Sequence, residues 1–319
     1  MSRTIRIATR ASELALRQAR IVEAALEAKG FTCELVTFKT TGDKKLDEPL
    51  SAIGAKGLFT HELEVALSKK KVDCCVHSLK DLPTENPDGL EIGAVLERED
   101  ARDVLVVNSV TDADSMMTIP AGSRVGTSSL RRRAQLTALR PDLEVVELRG
   151  NVPTRLRKVD QGKVHAAILA AAGLIRLNAS QHIKEFLEPP GWLPAAGQGA
   201  IAVQVRSDDS EMREVMGSLN HAPTDIAVRA ERAFLSALEG GCQVPIGALA
   251  IGNPDGSLFL HGFVSDIKGR DPVRGSIAVD KASPEESGRG LAADLRTRGA
   301  TSLLMELRNS EQLISPQPE

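Results

Sequence analysis

The chain has no Tyr, one Trp and seven Phe, so aromatic residues make up only 3% of its 319 positions. That scarcity disfavours a nucleic-acid surface built on stacking, which needs exposed rings. Cysteine is scarce as well. Four Cys in so long a chain do not form a disulfide framework. The six His show neither ligand spacing nor a zinc pattern. No apolar run approaches the ~18 residues of a membrane span. The opening stretch MSRTIRIATR lacks the apolar core of a signal peptide. A large charge of one sign is also missing: the formal net charge is −3, so any strongly basic site must be local. Together these absences indicate a reduced, cytoplasmic-type compartment. They leave an ordinary globular composition, 42% hydrophobic and 26% charged, long enough for two or three domains.

One local basic site is present. Between Arg124 and Lys163, ten Lys or Arg face four acids, a local excess of six positive charges. Such a patch on a mildly acidic protein concentrates anionic ligands. It is embedded in alternating strands and helices, which indicates an α/β fold. Ile5–Thr9 reads as a strand. Ser12 then caps a helix to about Lys29, which Gly30 stops. Phe31–Phe38 alternates as a second strand. Residues 40–57, rich in Gly, Lys and Asp, read as a long mobile loop. A helix over Leu58–Lys70 and a buried strand over Val72–His77 follow. At least one of the adjacent Cys74 and Cys75 reads as core-facing, and Cys33 reads the same way.

The pattern restarts at Asp103–Val107 and Arg124–Gly126, then gives helix 129–139, strand 144–148, helix 153–161 and strand 164–170. The two halves share a device. Thr9-Arg10-Ala11-Ser12 and Gly126-Thr127-Ser128-Ser129 each end a strand and open a helix, placing hydroxyls and Arg where free N–H groups favour anions. Two such lobes facing each other would pool these sites in one cleft. Pro189–Pro194 marks a break, and Ala200–Arg206 reads as a buried strand returning to the first lobe. Thr224–Leu238 is a helix. Strands over Gly247–Ile251, Leu258–Val264 and Gly275–Val279, with a turn at Asp255-Gly256, and helices over 285–298 and 300–308 form a smaller α+β unit.

Several residues carry chemistry. Cys242 follows Gly240-Gly241 and precedes Pro245, which places a thiol on a loop where backbone can approach a ligand. The alternative is an inert buried thiol. Arg131, Arg132 and Arg133 read either as solvated charges on a capped helix or as an anion site. Arg149-Gly150-Asn151 at a strand end, with Arg155 early in the next helix, favours the anion site. The spacing is not that of a phosphate loop, and Arg forks suit carboxylates equally. His77-Ser78-Leu79-Lys80-Asp81 ends a buried strand. Lys80 and Asp81 read either as a surface pair or as an acid-binding amine beside a carboxylate that stabilises a cation. His61 and His77 read as helix-start and strand-edge residues rather than catalysts.

These segments, taken in order, carry a resemblance. They are Ile7-Ala8-Thr9-Arg10 with Ser12-Glu13-Leu14-Ala15, Thr41-Gly42-Asp43, Lys56-Gly57-Leu58-Phe59, His77–Asp81, Val125–Arg132, Leu148–Asn151, Ala172-Gly173-Leu174, Gly197–Ala200 and Glu239–Pro245. Each alone is weak. Together, from about residue 3 to about 307, the chain resembles the hydroxymethylbilane synthase, or porphobilinogen deaminase, family. Ala55 before Lys56 departs from the second Gly of many members, which bears only on that loop.

The resemblance implies two α/β lobes like type II periplasmic binding proteins, around a cleft, plus a small α+β C-terminal domain. The implied division is 1–99 with 200–219, 100–199, and 220–319. It implies a monomeric transferase of tetrapyrrole and heme biosynthesis that condenses four porphobilinogen molecules head to tail, releases ammonia each time, and hydrolyses off hydroxymethylbilane. The implied cofactor is a dipyrromethane primer joined by a thioether to Cys242. Lys80, Asp81, Thr127, Ser128, Ser129, Arg131, Arg132, Arg149 and Arg155 are implied to hold the primer. Arg10, Ser12, Gln18, Lys56, Phe59, Arg149, Arg155, Arg176 and Gln198 are implied to handle monomer and growing chain, and Asp81 is the implied catalytic carboxylate. The chemistry agrees with this assignment. Every pyrrole unit carries an acetate and a propionate, so six rings bring about 12 carboxylates, a load suited to Arg, which stays charged near neutral pH. A non-catalytic solute-binding lobe is the alternative from another class, but it has no use for Cys242 and predicts a secretion signal or a helix-turn-helix. A nucleic-acid binder is disfavoured by the net charge and the missing aromatics.

Overall fold

A computed structural model describes residues 4–40, 42, 59–238 and 244–306. Lys56, Cys242 and nearly all of the 40–57 loop therefore lie outside the described residues.

The first sheet starts with β1 (Ile5–Arg10), parallel to β2 (Cys33–Phe38) and β3 (Cys74–Ser78). Between β1 and β2 runs α1 (Glu13–Glu27), whose Ser12 hydroxyl accepts from Ala15 N at 3.3 Å. Gly30, at φ +87°, ends that stretch in a conformation costly for any residue with a Cβ. α2 (His61–Ser68) precedes β3, and β4 (Leu90–Val95) lies at the far edge. The strand order is β2-β1-β3-β10-β4, with β10 (Ile201–Arg206) antiparallel to both neighbours.

The second sheet repeats this plan. It contains β5 (Asp103–Val107), β6 (Arg124–Gly126), β7 (Glu144–Val146), β8 (Ala166–Ala170) and β9 (Glu185–Leu187), with α3 (Leu130–Leu139), α4 (Val152–Asp160) and α5 (Ala171–Arg176). Its order is β7-β6-β8-β5-β9, with β5 antiparallel to β8 and β9. The antiparallel strand is in each case the one that arrives from the other lobe. β5 enters the second lobe and β10 returns to the first, at equivalent positions. This is the type II arrangement that the family resemblance implies. Every residue of β10 is buried, as an apolar strand with helices over both faces must be. Gly173 on α5 faces Leu14 on α1, so the lobes touch beside the cleft; a Cβ there would lie 3.7 Å from Leu14 Cδ2.

The C-terminal unit is a three-stranded antiparallel meander, β11 (Ile246–Gly252), β12 (Leu258–Val264) and β13 (Val273–Ala278). It is covered by α7 (Ala222–Ala237), which follows α6 (Ser210–Gly217), and by α8 (Pro284–Leu295). Phe234, Leu260, Leu291 and Leu295 form its core. Gly262 lets Phe234 pack against the sheet, since an added Cβ would meet that ring at 2.6 Å. Glu231 on α7 is fully buried. It takes both guanidinium nitrogens of Arg98 at 2.6 and 3.0 Å, the amide of Gly197 at 2.7 Å and that of Ala250 at 2.9 Å. One carboxylate thus ties both interlobe connections to the third unit.

The helices expected over 285–298 and 300–308 meet where expected: the path runs on from α8 through a π turn over Arg296–Ala300, and Gly299 at φ +110° is the break between them. His77 lies at the end of a buried strand as expected: it is the penultimate residue of β3, between β1 and β10, and pairs with Ala202. Cys74 and Cys75 are fully buried, whereas Cys33, in the outermost strand, is half-exposed. Among the described residues no helix is long and apolar enough to cross a membrane.

Candidate active site

The predicted residues sit at the carboxyl ends of the parallel strands, where such sheets bind ligands. From β1 come Arg10 and Ser12, and from β3 come Lys80 and Asp81 on the single 3-10 turn Leu79–Asp81. The second lobe supplies Thr127–Ser129 after β6, Arg149 after β7, Arg155 on α4 and Arg176 on α5.

The hydroxyls are engaged locally. Ser129 caps α3 by accepting from Arg132 N at 3.4 Å, Thr127 Oγ1 accepts from Ser129 N at 3.2 Å, and Ser128 Oγ donates to Leu148 O at 2.9 Å. Ser12 and Ser129 act only as acceptors in these bonds, so each hydroxyl proton remains to be donated. Gln18 is buried against the Ser78 hydroxyl at 2.8 Å. It braces the end of β3. Arg10 stacks its guanidinium over Phe59 at 4.3 Å from the ring centre.

Sequence reasoning missed Asp103. It opens β5 and is fully buried. Arg131 Nη1 reaches its Oδ2 at 2.6 Å and Arg132 Nη2 its Oδ1 at 2.7 Å. Trp192 Nε1 and Gln198 Nε2 each add a bond at 2.8 Å. Burial alone would raise this carboxyl, yet the two guanidiniums hold it far below the usual range. The only sequence sign was an acid opening the apolar run Asp103-Val-Leu-Val-Val, which calls for a buried cation. Arg131 and Arg132 are therefore not solvated charges. Arg131 Nη1 also donates to Leu193 O at 2.7 Å, and Arg132 Nη1 donates to Ile168 O at 2.9 Å.

Gln198 then joins the lobes. Its amide nitrogen is on Asp103, and its Oε1 accepts from Lys80 Nζ at 3.3 Å. Burial pushes the Lys80 ammonium down to about 8. Arg132 and Arg131 add to that shift, while Asp81 and Asp103 oppose it. Burial likewise brings Arg155 down to about 10, with Arg132 and Arg149 adding and Asp81 opposing. Two residues of the first lobe and five of the second therefore act on one volume, in which five cations face two carboxylates. Arg176, also lowered by burial, donates to Gly199 O at 2.7 Å beside Gln198.

Two buried donors there have no partner, Arg132 Nε and Arg149 Nη1. Arg149 Nε stands 3.8 Å from Glu147. Buried donors without acceptors are rare and costly, and acidic ligand groups would satisfy them.

Family models match both parts of the chain. "Porphobilinogen deaminase, dipyromethane cofactor binding domain" covers residues 5–214, and "Porphobilinogen deaminase, C-terminal domain" covers 226–297. The chain belongs to the porphobilinogen deaminase family. A porphobilinogen deaminase of Moorella thermoacetica is 52% identical over 306 residues, 95% of this chain and 96% of that protein. One of Syntrophobacter fumaroxidans is 48% identical over 307 residues, 96% and 98% respectively. Among solved structures, the methionine-binding protein MetQ is similar at 14% identity and TM-score 0.43, over 74% of this chain and 94% of that one. The cofactor of the porphobilinogen deaminase family fits the residues present. An acid-bearing dipyrromethane matches the surplus cations, the orphaned Arg132 and Arg149 donors and the depressed Lys80.

Proposed function

We infer that this chain condenses porphobilinogen stepwise on a dipyrromethane primer and releases linear hydroxymethylbilane, one ammonia leaving per addition. The observation that carries this reading is the convergence of Lys80 and Asp81 with Arg132, Arg149 and Arg155. A carboxylate and an amine from one lobe meet a surplus of guanidiniums from the other.

Arg131, Arg132, Lys80 and the Thr127–Ser129 hydroxyls hold the primer, which Cys242 carries through its sulfur. When bound, the primer supplies a nucleophilic pyrrole carbon. Arg149, Arg155, Arg176 and Arg10 take the acetate and propionate groups of the incoming monomer and growing chain, with Ser12, Gln198 and Phe59 lining that path, Gln18 bracing it from behind, and Lys56 assigned to it by the family likeness alone. Asp81 accepts from pyrrole N–H groups. It also stabilises the positive charge that develops as the carbon–nitrogen bond of the aminomethyl group breaks and ammonia departs. A fixed carboxylate in a half-buried site suits this role, because it needs no reorganisation as charge develops.

A monomeric, cytoplasmic enzyme is proposed from the family likeness alone. The division into 1–99 with 200–219, 100–199 and 220–319 follows the two interlobe connections and the start of α7. Intact mass tests the reading. The purified protein should exceed its sequence mass by two condensed pyrrole units, and Cys242→Ser should lose that increment. A fully active protein at sequence mass would overturn it, and a solute-binding lobe would show no increment at all.

A further inference from the structure

The Asp81 turn is held from behind by the third unit. Leu82 N closes the turn onto Leu79 O at 3.1 Å, and both side chains are buried in one cluster with Val228 of α7. Apolar packing does not complete the support. A cavity of about 350 Å³, lined by Leu79, Ile92, Val95, Val228 and Arg232, lies behind the turn. Arg232, one helical turn beyond Val228, lines it and reaches the chain just after the turn. Its Nη1 donates to Leu82 O at 3.3 Å, and its Nη2 donates to Pro83 O at 2.7 Å and Thr84 O at 3.3 Å.

We propose that Arg232 is a positioning residue for catalysis, fixing Asp81 by gripping the three carbonyls that follow it. The planar guanidinium suits this task. Its donors diverge in one plane and reach successive carbonyls that a single ammonium cannot reach together. The neighbouring Glu231 fixes Gly197, next to the Gln198 that holds Lys80. Two adjacent residues of α7 thus set both polar groups of the first lobe's turn. α7 ends at Ala237, shortly before Cys242 in sequence. The element that leads to the thiol is therefore also the element that aims the carboxylate.

This inference rests on the reading of Asp81 given above, and a double-mutant cycle separates the two. Single-turnover ammonia release from porphobilinogen is measured on primer-loaded wild type, Arg232→Gln, Asp81→Asn and the double variant, with intact mass and melting temperature for each. Arg232→Gln should keep the primer and slow release by about 10- to 100-fold, the scale of a misplaced catalytic group. In the Asp81→Asn background the same change should cost less than about twofold. Arg232→Lys should recover part of the loss. Arg229→Gln, one turn earlier and paired with Glu285 at the surface, should leave release unchanged. If the two penalties multiply, or if Arg232→Gln releases at the wild-type rate, Arg232 does not act through Asp81. If Asp81→Asn itself releases at the wild-type rate, the Asp81 reading fails instead. Should Arg232→Gln not fold, Arg232→Lys carries the same cycle.

Discussion

Asp103 Oδ1 accepts from Arg132 Nη2 at 2.7 Å, a bond buried at the root of the second lobe's anion site. With Arg131 on the other oxygen, one carboxylate neutralises part of a cluster that otherwise repels itself. Asp103→Ala should therefore destabilise the fold by about 3–5 kcal/mol, the cost of leaving buried charge unpaired. A denaturant titration measures it. Asp103→Asn, which keeps the shape and part of the hydrogen bonding, should cost less. A loss under about 1 kcal/mol for the alanine variant would mean that water or another acid replaces Asp103.

Much of the fold could be read from periodicity, and the exceptions have physical causes. β5 and β10 are largely apolar runs between turn signals, and Ser12 and Ser129 announce the helices they cap. Leu90–Val95 gives no such signal, since Glu91 and Gly93 interrupt its apolar residues. Gly93 is small because Val205 crosses it from β10, where an added Cβ would lie at 2.8 Å. β9 is three residues long, and α6 has only Met212 and Met216 as buried anchors. At the site, the arginines were legible from their position at strand ends and beside Gly150. Asp103 was not, because its partners lie 28, 29, 89 and 95 residues away, and no local pattern encodes them.

His77 makes the fold sensitive to acid. It is 5% exposed, its Nε2 has no partner, and burial pushes its pKa from 6.5 down to about 4. Gln204 opposes that shift and Arg10 adds to it, while Glu64 lies beyond Gln204. The unfolded chain thus binds a proton that the fold refuses, so stability is full above about 6.5 and falls as pH drops toward 4. The loss by pH 4 is about 3 kcal/mol. His77→Gln should flatten that limb in a series of denaturant melts. An unchanged slope between pH 6.5 and 4 would assign the acid sensitivity to other groups.

Lys80 gives the opposite limb. Its folded pKa of about 8 lies below the ordinary 10.5, so the charged form penalises the fold below pH 8. The penalty is relieved as pH rises from about 8 to 10.5. In Cys242→Ser protein without primer, stability should rise over that window, and Lys80→Met should remove the rise. Primer carboxylates favour the charged amine, so the loaded wild type should show a smaller rise. Equal slopes with and without primer would separate Lys80 from the primer site.

Asp81→Asn distinguishes chemistry from binding. The amide keeps the size of the side chain and one acceptor, but it loses the negative charge that faces Arg155 and Lys80. Charge stabilisation in a preorganised site is worth about 100- to 1000-fold in rate. The variant should retain primer mass and release ammonia at least ~100-fold more slowly than wild type. Arg149→Gln and Arg155→Gln should fail differently. Each removes a cation from the carboxylate-binding surplus, so primer assembly or elongation stalls, and intact mass should reveal apoprotein or partial-chain adducts. Removing Arg149 also removes the unpartnered Nη1 donor that a ligand would satisfy. The comparison therefore needs both readouts on each variant, mass for what is bound and single-turnover release for what is made. An Asp81→Asn protein that turned over near the wild-type rate would leave Asp81 without a catalytic role. The catalytic charge would then have to come from another acid facing the cleft.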